Sequence, residues 1–283
     1  MSKPSLIHSQ DTPELRKERG AFFTPAAITA FVAQWAVRSG SDRVLEPSAG
    51  DAAFLLAAVE RLSKLGRPED SEPEVYGGEI HPYSAKVARQ RVRDAGGKAH
   101  VRQSDFFDVA PEPSYDAVIG NPPFIRYQNF SGESRAKSRQ AALRGGVALS
   151  GLASSWAAFA IHSALFLKQG GRLGLVLPAE LLSVNYAAPV RQFLFERFRR
   201  VELVLFAEQV FPEAEADVVL LIGALSLFPF LGKEFMPQLQ EGSIMWRAAA
   251  IPSTSLDESI ATSRRISDAF RKFPEVETTL AMI

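Results

Sequence analysis

From Arg43 onward, short apolar or β-branched runs alternate with longer stretches of helical periodicity. A chain written this way folds as a doubly wound α/β sheet with helices on both faces. Seven runs read as strands: residues 43–46, 74–79, 98–103, 115–120, 171–177, 201–206 and 217–225. Helical patterns occupy residues 26–38, 52–65, 84–95, 154–168 and 188–199. Only residues 207–216 separate the last two runs, too few for a crossover helix, so these strands are expected to form an antiparallel hairpin at one edge. The predicted architecture is a seven-stranded Rossmann-like sheet of six parallel strands plus an antiparallel edge strand. It occupies a domain over residues 1–230. Residues 231–283, with Pro237, Pro252 and Pro274 and a Ser/Thr-rich piece over 252–263, read as a short C-terminal appendage.

Charge and composition narrow the function classes. Lys+Arg and Asp+Glu both number 32, so a nucleic-acid partner can be engaged only through a local basic patch. The absence of cysteine removes disulfides, zinc ribbons, iron–sulfur ligation and thiol nucleophiles, and fits a reducing cytoplasm. The first twenty residues lack the apolar core of a signal peptide, and no uncharged stretch reads as a membrane span, so neither secretion nor a membrane partner is expected. His8, His81, His100 and His162 stand at unrelated spacings, and no metal site is expected.

The most informative residues are Asn121, Pro122, Pro123 and Phe124, directly after the strand that ends at Gly120. Loops at the carboxyl ends of strands are where open α/β sheets bind ligands. Two prolines stiffen this loop and remove two donors, so the carbonyls of Asn121 and Pro122 are held in fixed directions. An amide oxygen plus a carbonyl can receive both hydrogens of a planar NH2 group while the Phe124 ring stacks on the ring that carries it. The alternative is an ordinary turn, although a given tetrapeptide arises by chance in such a chain only on the order of a few times per thousand.

Three further strand ends carry polar groups. Glu46-Pro47-Ser48-Ala49-Gly50-Asp51 is a small-residue turn from strand into helix, where backbone can approach a ligand closely. Glu79-Ile80 supplies a carboxylate suited to a ribose diol, and Asp105-Phe106 an acceptor beside an aromatic ring. Each has a plain structural alternative: Glu79 a strand end, Asp105 a cap, Phe106 core. Together, Glu46, Glu79, Asp105 and Asn121 would line one edge of the sheet. Downstream, residues 121–145 hold Arg126, Arg135, Lys137, Arg139 and Arg144 against Glu133, a local charge of +4, with Tyr127 and Phe130 among them. This reads as a phosphate-contacting loop.

With these motifs in order, the chain resembles the gamma class of amino-group DNA methyltransferases, which methylate adenine at N6 with S-adenosylmethionine and usually belong to restriction-modification or related defence systems. The resemblance covers roughly residues 20–225. It implies that Phe23, Thr24 and Pro25 cover the methionine end of the cofactor. It further implies that the turn from Glu46 to Phe54 holds the cofactor, that Glu79 and Ile80 meet its ribose and that Asp105 and Phe106 meet its adenine. Asn121 to Phe124 would be catalytic, Asn121 also binding the cofactor, with Phe124, Arg126, Tyr127 and Phe211 against the target base and its strand. DNA is the implied partner, with a separate specificity subunit as a second. Where relatives usually carry another glycine, this chain has Ala52, followed by Ala53; a need for positive φ there would weaken cofactor binding. Other expectations left open are RNA or a protein glutamine as substrate, and a binding subunit without activity.

Overall fold

The structure is a computed structural model that describes residues 24–66, 71–130, 132–205 and 218–225. In chain order the elements are α1 (Ala26–Ala36), β1 (Val44–Glu46), α2 (Ala53–Lys64), β2 (Glu74–Glu79), α3 (Pro82–Asp94), β3 (Lys98–Gln103), β4 (Tyr115–Gly120), α4 (Gly132–Arg144), α5 (Ser155–Ala164), β5 (Leu167–Pro178), α6 (Glu180–Ser183), α7 (Ala188–Arg197), β6 (Phe198–Leu205) and β7 (Val218–Leu225). All seven strands form one sheet in the order β3-β2-β1-β4-β5-β7-β6. The first five in that row are parallel, and β7 is antiparallel to both β5 and β6.

One expectation is corrected. The β6–β7 hairpin does lie at an edge, but the antiparallel strand β7 sits one place inside it and β6 is the edge strand. The reason is burial. β7, VVLLIGAL, is apolar on both faces and must be flanked, whereas β6 carries exposed Arg199 and Arg200 and half-buried Glu202, charges that blunt an open edge.

The alternation of side chains along each strand feeds two cores. On one face Val44, Val75, Ala117, Ile119, Val176 and Leu220 pack under α1, α2 and α3; on the other Leu45, Val118, Leu173, Leu175 and Leu221 pack under α5 and α7. Helix α3 begins two residues earlier than its periodicity suggests because Pro82 fits the first turn, where its missing N–H costs nothing. Strand β5 begins four residues earlier than expected, running through Gly170 at φ 77°, next to a register irregularity against β4.

Candidate active site

The sheet order brings the four polar strand ends together, because β3, β2, β1 and β4 are consecutive neighbours and parallel. Asp105, Glu79, Glu46 and Asn121 therefore stand in a row along the carboxyl edge. Space for the row is made by two glycines. A Cβ on Gly78 would lie 2.9 Å from the Pro47 carbonyl oxygen, and one on Gly120 would meet the Glu46 and Pro47 side chains at 3.5 Å. The turn after β1 rides directly on β2, with the Ala49 N–H donating to the Gly78 carbonyl at 2.8 Å.

That turn is tightly wound. Gly50 has φ 48°, and Ala52 has φ 68° and ψ 21°, the one non-glycine residue with positive φ among the described residues. Position 52 thus requires the left-handed conformation that its sequence context suggested for a glycine. Glu79, 7% exposed, accepts from the Gly50 N–H and the His81 N–H, each at 2.8 Å. A carboxylate offers about four acceptor positions, so two remain for a ligand diol. Glu46, 3% exposed, accepts from the Leu55 N–H at 3.1 Å. Burial first, then the negative charges of Asp51 and Glu79, push its carboxyl well above the usual carboxylate range, against the opposing pull of that hydrogen bond. A cation placed at this turn would relieve the excess negative charge. Ile80 lies 56% exposed beside it, an apolar surface at the mouth of the turn.

The loop after β4 is held from three sides. The Asn121 amide nitrogen donates to Thr24 Oγ1 at 3.1 Å, bringing the segment before α1 onto the loop and directing the amide oxygen away from it. Ser48 Oγ donates to the Asn121 carbonyl at 3.4 Å. Ser155, at the start of α5 and 1% exposed, uses its hydroxyl twice: it donates to the Pro123 carbonyl and accepts from the Ile125 N–H at 2.9 Å. Its own N–H donates to the Ile125 carbonyl at 3.1 Å. The carbonyl between these two occupied ones, that of buried Pro122, receives no hydrogen bond among the described residues. Phe124 is half-buried between the two cores.

Not every residue expected at the site faces it. The Phe54 ring is 1% exposed and belongs to the core under α2. Phe106 is 5% exposed and stacked between Phe159 and Phe166, while the Asp105 carboxylate caps the short turn that follows by accepting from the Phe107 N–H at 3.0 Å. Phe23 and Phe211 lie outside the described residues.

The basic segment after the loop is the second correction. Residues 132–144 form helix α4, and three of its cations are spent inside the protein. Arg135 donates to the Tyr127 and Phe130 carbonyls, Lys137 pairs with Asp108 at 2.7 Å and Glu133 at 3.1 Å, and Arg144 donates to the Phe107 carbonyl at 3.0 Å. They join the Asn121 loop's continuation to the turn after β3. Arg126, Tyr127 and Arg139 remain exposed. Sequence reading also missed Ser155, whose signal was a serine pair opening an apolar helix, and His162. His162 is fully buried, its Nε2 lies 3.1 Å from the Val109 carbonyl, and burial lowers its pKa to about 4.

A sequence profile described as N-6 DNA Methylase matches residues 7–224. The chain belongs to this family. It is 30% identical over 203 residues to the Type II methyltransferase M.HincII of Haemophilus influenzae, covering 71% of this chain and 36% of the relative. To the Type II methyltransferase M.XamI of Xanthomonas campestris pv. amaranthicola it is 28% identical over 189 residues, covering 65% and 34%. This N-6 DNA methylase chain thus spans about a third of the length of the curated relatives it matches. Its fold is that of a protein of Listeria monocytogenes assigned to the class I S-adenosylmethionine-dependent methyltransferases (TM-score 0.60, 17% identity, 77% of this chain and 63% of that one). It is also that of the type I restriction-modification methyltransferase subunit of Streptococcus thermophilus (TM-score 0.58, 19% identity, 78% and 50%). A second profile, the AcrB/AcrD/AcrF family, matches residues 199–283, under a third of the chain, and its described part is β6 and β7 of this sheet. Among the described residues no helix is long and apolar enough to cross a membrane.

Proposed function

We propose that this chain is the methyl-transferring core of a DNA methyltransferase acting on the N6 amine of adenine, with S-adenosylmethionine as donor, in a restriction-modification or related defence system of the cytoplasm. The observation that carries the reading is the disposition of acceptors after β4: the carbonyls of Asn121 and Pro123 are occupied by Ser48 and Ser155, while Pro122, between them, keeps its carbonyl for a ligand. The Asn121 amide, its nitrogen held by Thr24, supplies the second acceptor.

An exocyclic adenine amine is a weak nucleophile because its lone pair is delocalised into the ring. Accepting one N–H at Asn121 Oδ1 and the other at the Pro122 carbonyl localises that pair, and fixed acceptors need no reorganisation as charge develops. S-adenosylmethionine, when bound, supplies a methyl group on a positively charged sulfur. The residues suited to hold it are Thr24 and Pro25, the turn from Glu46 to Asp51, Glu79 with Ile80, and Asp105. The carboxylates of Asp51 and Glu79 complement its positive charge, which would also favour ionisation of the buried Glu46 carboxyl, and Glu79 keeps acceptor positions for its ribose. A base in a duplex must leave its stack to reach the loop; Phe124 offers a ring face to it, and Arg126 and Tyr127 are exposed where the strand would pass. DNA is the proposed partner, with a specificity subunit as the second.

The test is transfer of a labelled methyl from S-adenosylmethionine to DNA, with RNA and protein acceptors alongside. Asn121→Ala is expected to lower transfer by at least about 10²-fold, the scale of losing one oriented polar group at a reacting centre. Cofactor binding by calorimetry should stay within about threefold, well under one strong hydrogen bond. Transfer that survives in this variant overturns the role given to Asn121, and transfer to RNA alone overturns the substrate.

A further inference from the structure

Ala52 holds φ 68° at the start of α2, within the turn that the proposed function assigns to the cofactor. For a residue with a Cβ this conformation is disfavoured by roughly tenfold or more in an equilibrium constant, so something must hold it. The natural escape is a flip of the peptide between Asp51 and Ala52, which would swing φ of Ala52 to negative values and reverse the Asp51 carbonyl. That carbonyl is gripped. Arg91, 40 residues along the chain on α3, places Nη1 within hydrogen-bond reach of the Asp51 carbonyl oxygen and at 3.1 Å from a carboxylate oxygen of the same residue. The Ala52 N–H, on the other side of the same peptide, donates to the Ala49 carbonyl at 2.6 Å.

We infer that Arg91 is a positioning residue for the cofactor turn: its guanidinium holds the Asp51–Ala52 peptide against the flip that the alanine favours. The inference rests on the cofactor reading above. Its logic is specific to this chain, since a glycine at position 52 would sit at the same φ without strain and would make the brace dispensable. The ion pair by itself explains little, because both side chains are well exposed, at 44% and 35%, and such pairs contribute little to stability.

The experiment is a four-way comparison of the full chain: wild type, Arg91→Met, Ala52→Gly and the double variant, each titrated with S-adenosylmethionine by calorimetry and followed by amide hydrogen exchange at Ala53 and Leu56. Arg91→Met is expected to weaken binding by about tenfold, the strain it releases, and to speed exchange at the start of α2. In the Ala52→Gly background the same substitution should weaken binding by less than about twofold, well below that strain, and leave exchange unchanged. Equal losses in both backgrounds overturn the inference, since Arg91 would then act through charge or direct contact. Unchanged binding and exchange in Arg91→Met overturn it too. If wild type binds no S-adenosylmethionine, the cofactor reading fails and the positioning role with it; rescue of exchange by Ala52→Gly would then identify Arg91 as a brace of the turn only.

Discussion

Ser155→Ala separates a loop that is merely folded from one that is aimed. The substitution removes one oxygen, but that oxygen serves two backbone groups, donating to the Pro123 carbonyl and accepting from the Ile125 N–H. An unsatisfied buried donor or acceptor costs about 1–3 kcal/mol. Pro123 and Ile125 are half-buried, so water recovers part of this and the sum is about 2 kcal/mol. The backbone bond from the Ser155 N–H to the Ile125 carbonyl survives, so the loop stays attached while its carbonyls lose their fixed direction. At about 1.4 kcal/mol per factor of ten, the aimed conformation falls about thirtyfold relative to its alternatives. Methyl transfer per bound cofactor should drop by about 10- to 30-fold in single-turnover assays on the same scale. The melting temperature should drop by about 4–8 °C, at about 2–4 °C per kcal/mol for a chain of this size, and the dissociation constant for S-adenosylmethionine should change by under about twofold, since no group of the proposed cofactor turn is touched. Ser154→Ala is the control, because its hydroxyl bonds Tyr186 and not the loop; it should lower stability without slowing transfer. A Ser155→Ala variant that loses the expected stability yet transfers at the wild-type rate would refute the reasoning, since the loop would then be aimed by Thr24 and Ser48 alone.

Three other outcomes follow from buried and committed charges. The depressed His162 pKa means that its neutral form is favoured in the fold, so its contribution is intact above pH 6.5 and lost as pH falls toward about 4; thermal melts across that range should flatten in His162→Gln. Glu46 has the opposite sign: its raised carboxyl favours the fold below about pH 4.5 and the advantage is lost as pH rises through the folded pKa, so Glu46→Gln should gain stability relative to wild type at neutral pH in chemical denaturation. Lys137→Met should leave the salt dependence of DNA binding unchanged because its ammonium is spent on Asp108 and Glu133, whereas Arg139→Ala, at an exposed position of the same helix, should reduce the slope by about one counterion; equal slopes for both variants would contradict this division.

The parallel half of the sheet was legible because its signals are local. The runs at 74–79, 98–103 and 115–120 coincide with β2, β3 and β4 residue for residue, each bounded by turn chemistry on at least one side. The position of β7 was not legible from chain order, since a hairpin can fold with either strand outward. The deciding signal is composition across both faces: eight residues without a charge in β7 against Arg199, Arg200 and Glu202 in β6. Helix α4 escaped because GESRAKSRQAALR lacks an apolar stripe and buries only Ser138, Ala141 and Ala142; ion pairs and backbone contacts hold it, and these depend on residues far along the chain. The sign of its charge was readable, but the destination of each cation was not. The same limit hid the Ser155 clamp, which joins positions 32 residues apart.

These contacts give the site a division of labour that no single motif expresses. In the proposed reading the acceptors for the amine come from a loop that two prolines deprive of backbone donors at positions 122 and 123 and that is fixed at Asn121 by Thr24 and at Pro123 by Ser155. The turn proposed to hold the cofactor is fixed on the other side by β2 through Gly78 and by α3 through Arg91. Helix α4 ties the loop's continuation, through Arg135, to the turn after β3 that Asp105 caps, through Lys137 and Arg144. An in-line transfer depends on the distance between two bound partners, and a small misplacement is enough to slow it. Cations that a charge count assigns to DNA are thus committed to holding the loop's continuation and the turn after β3 in place, and in the proposed reading the strand would meet Tyr127 and Arg139 at the exposed rim.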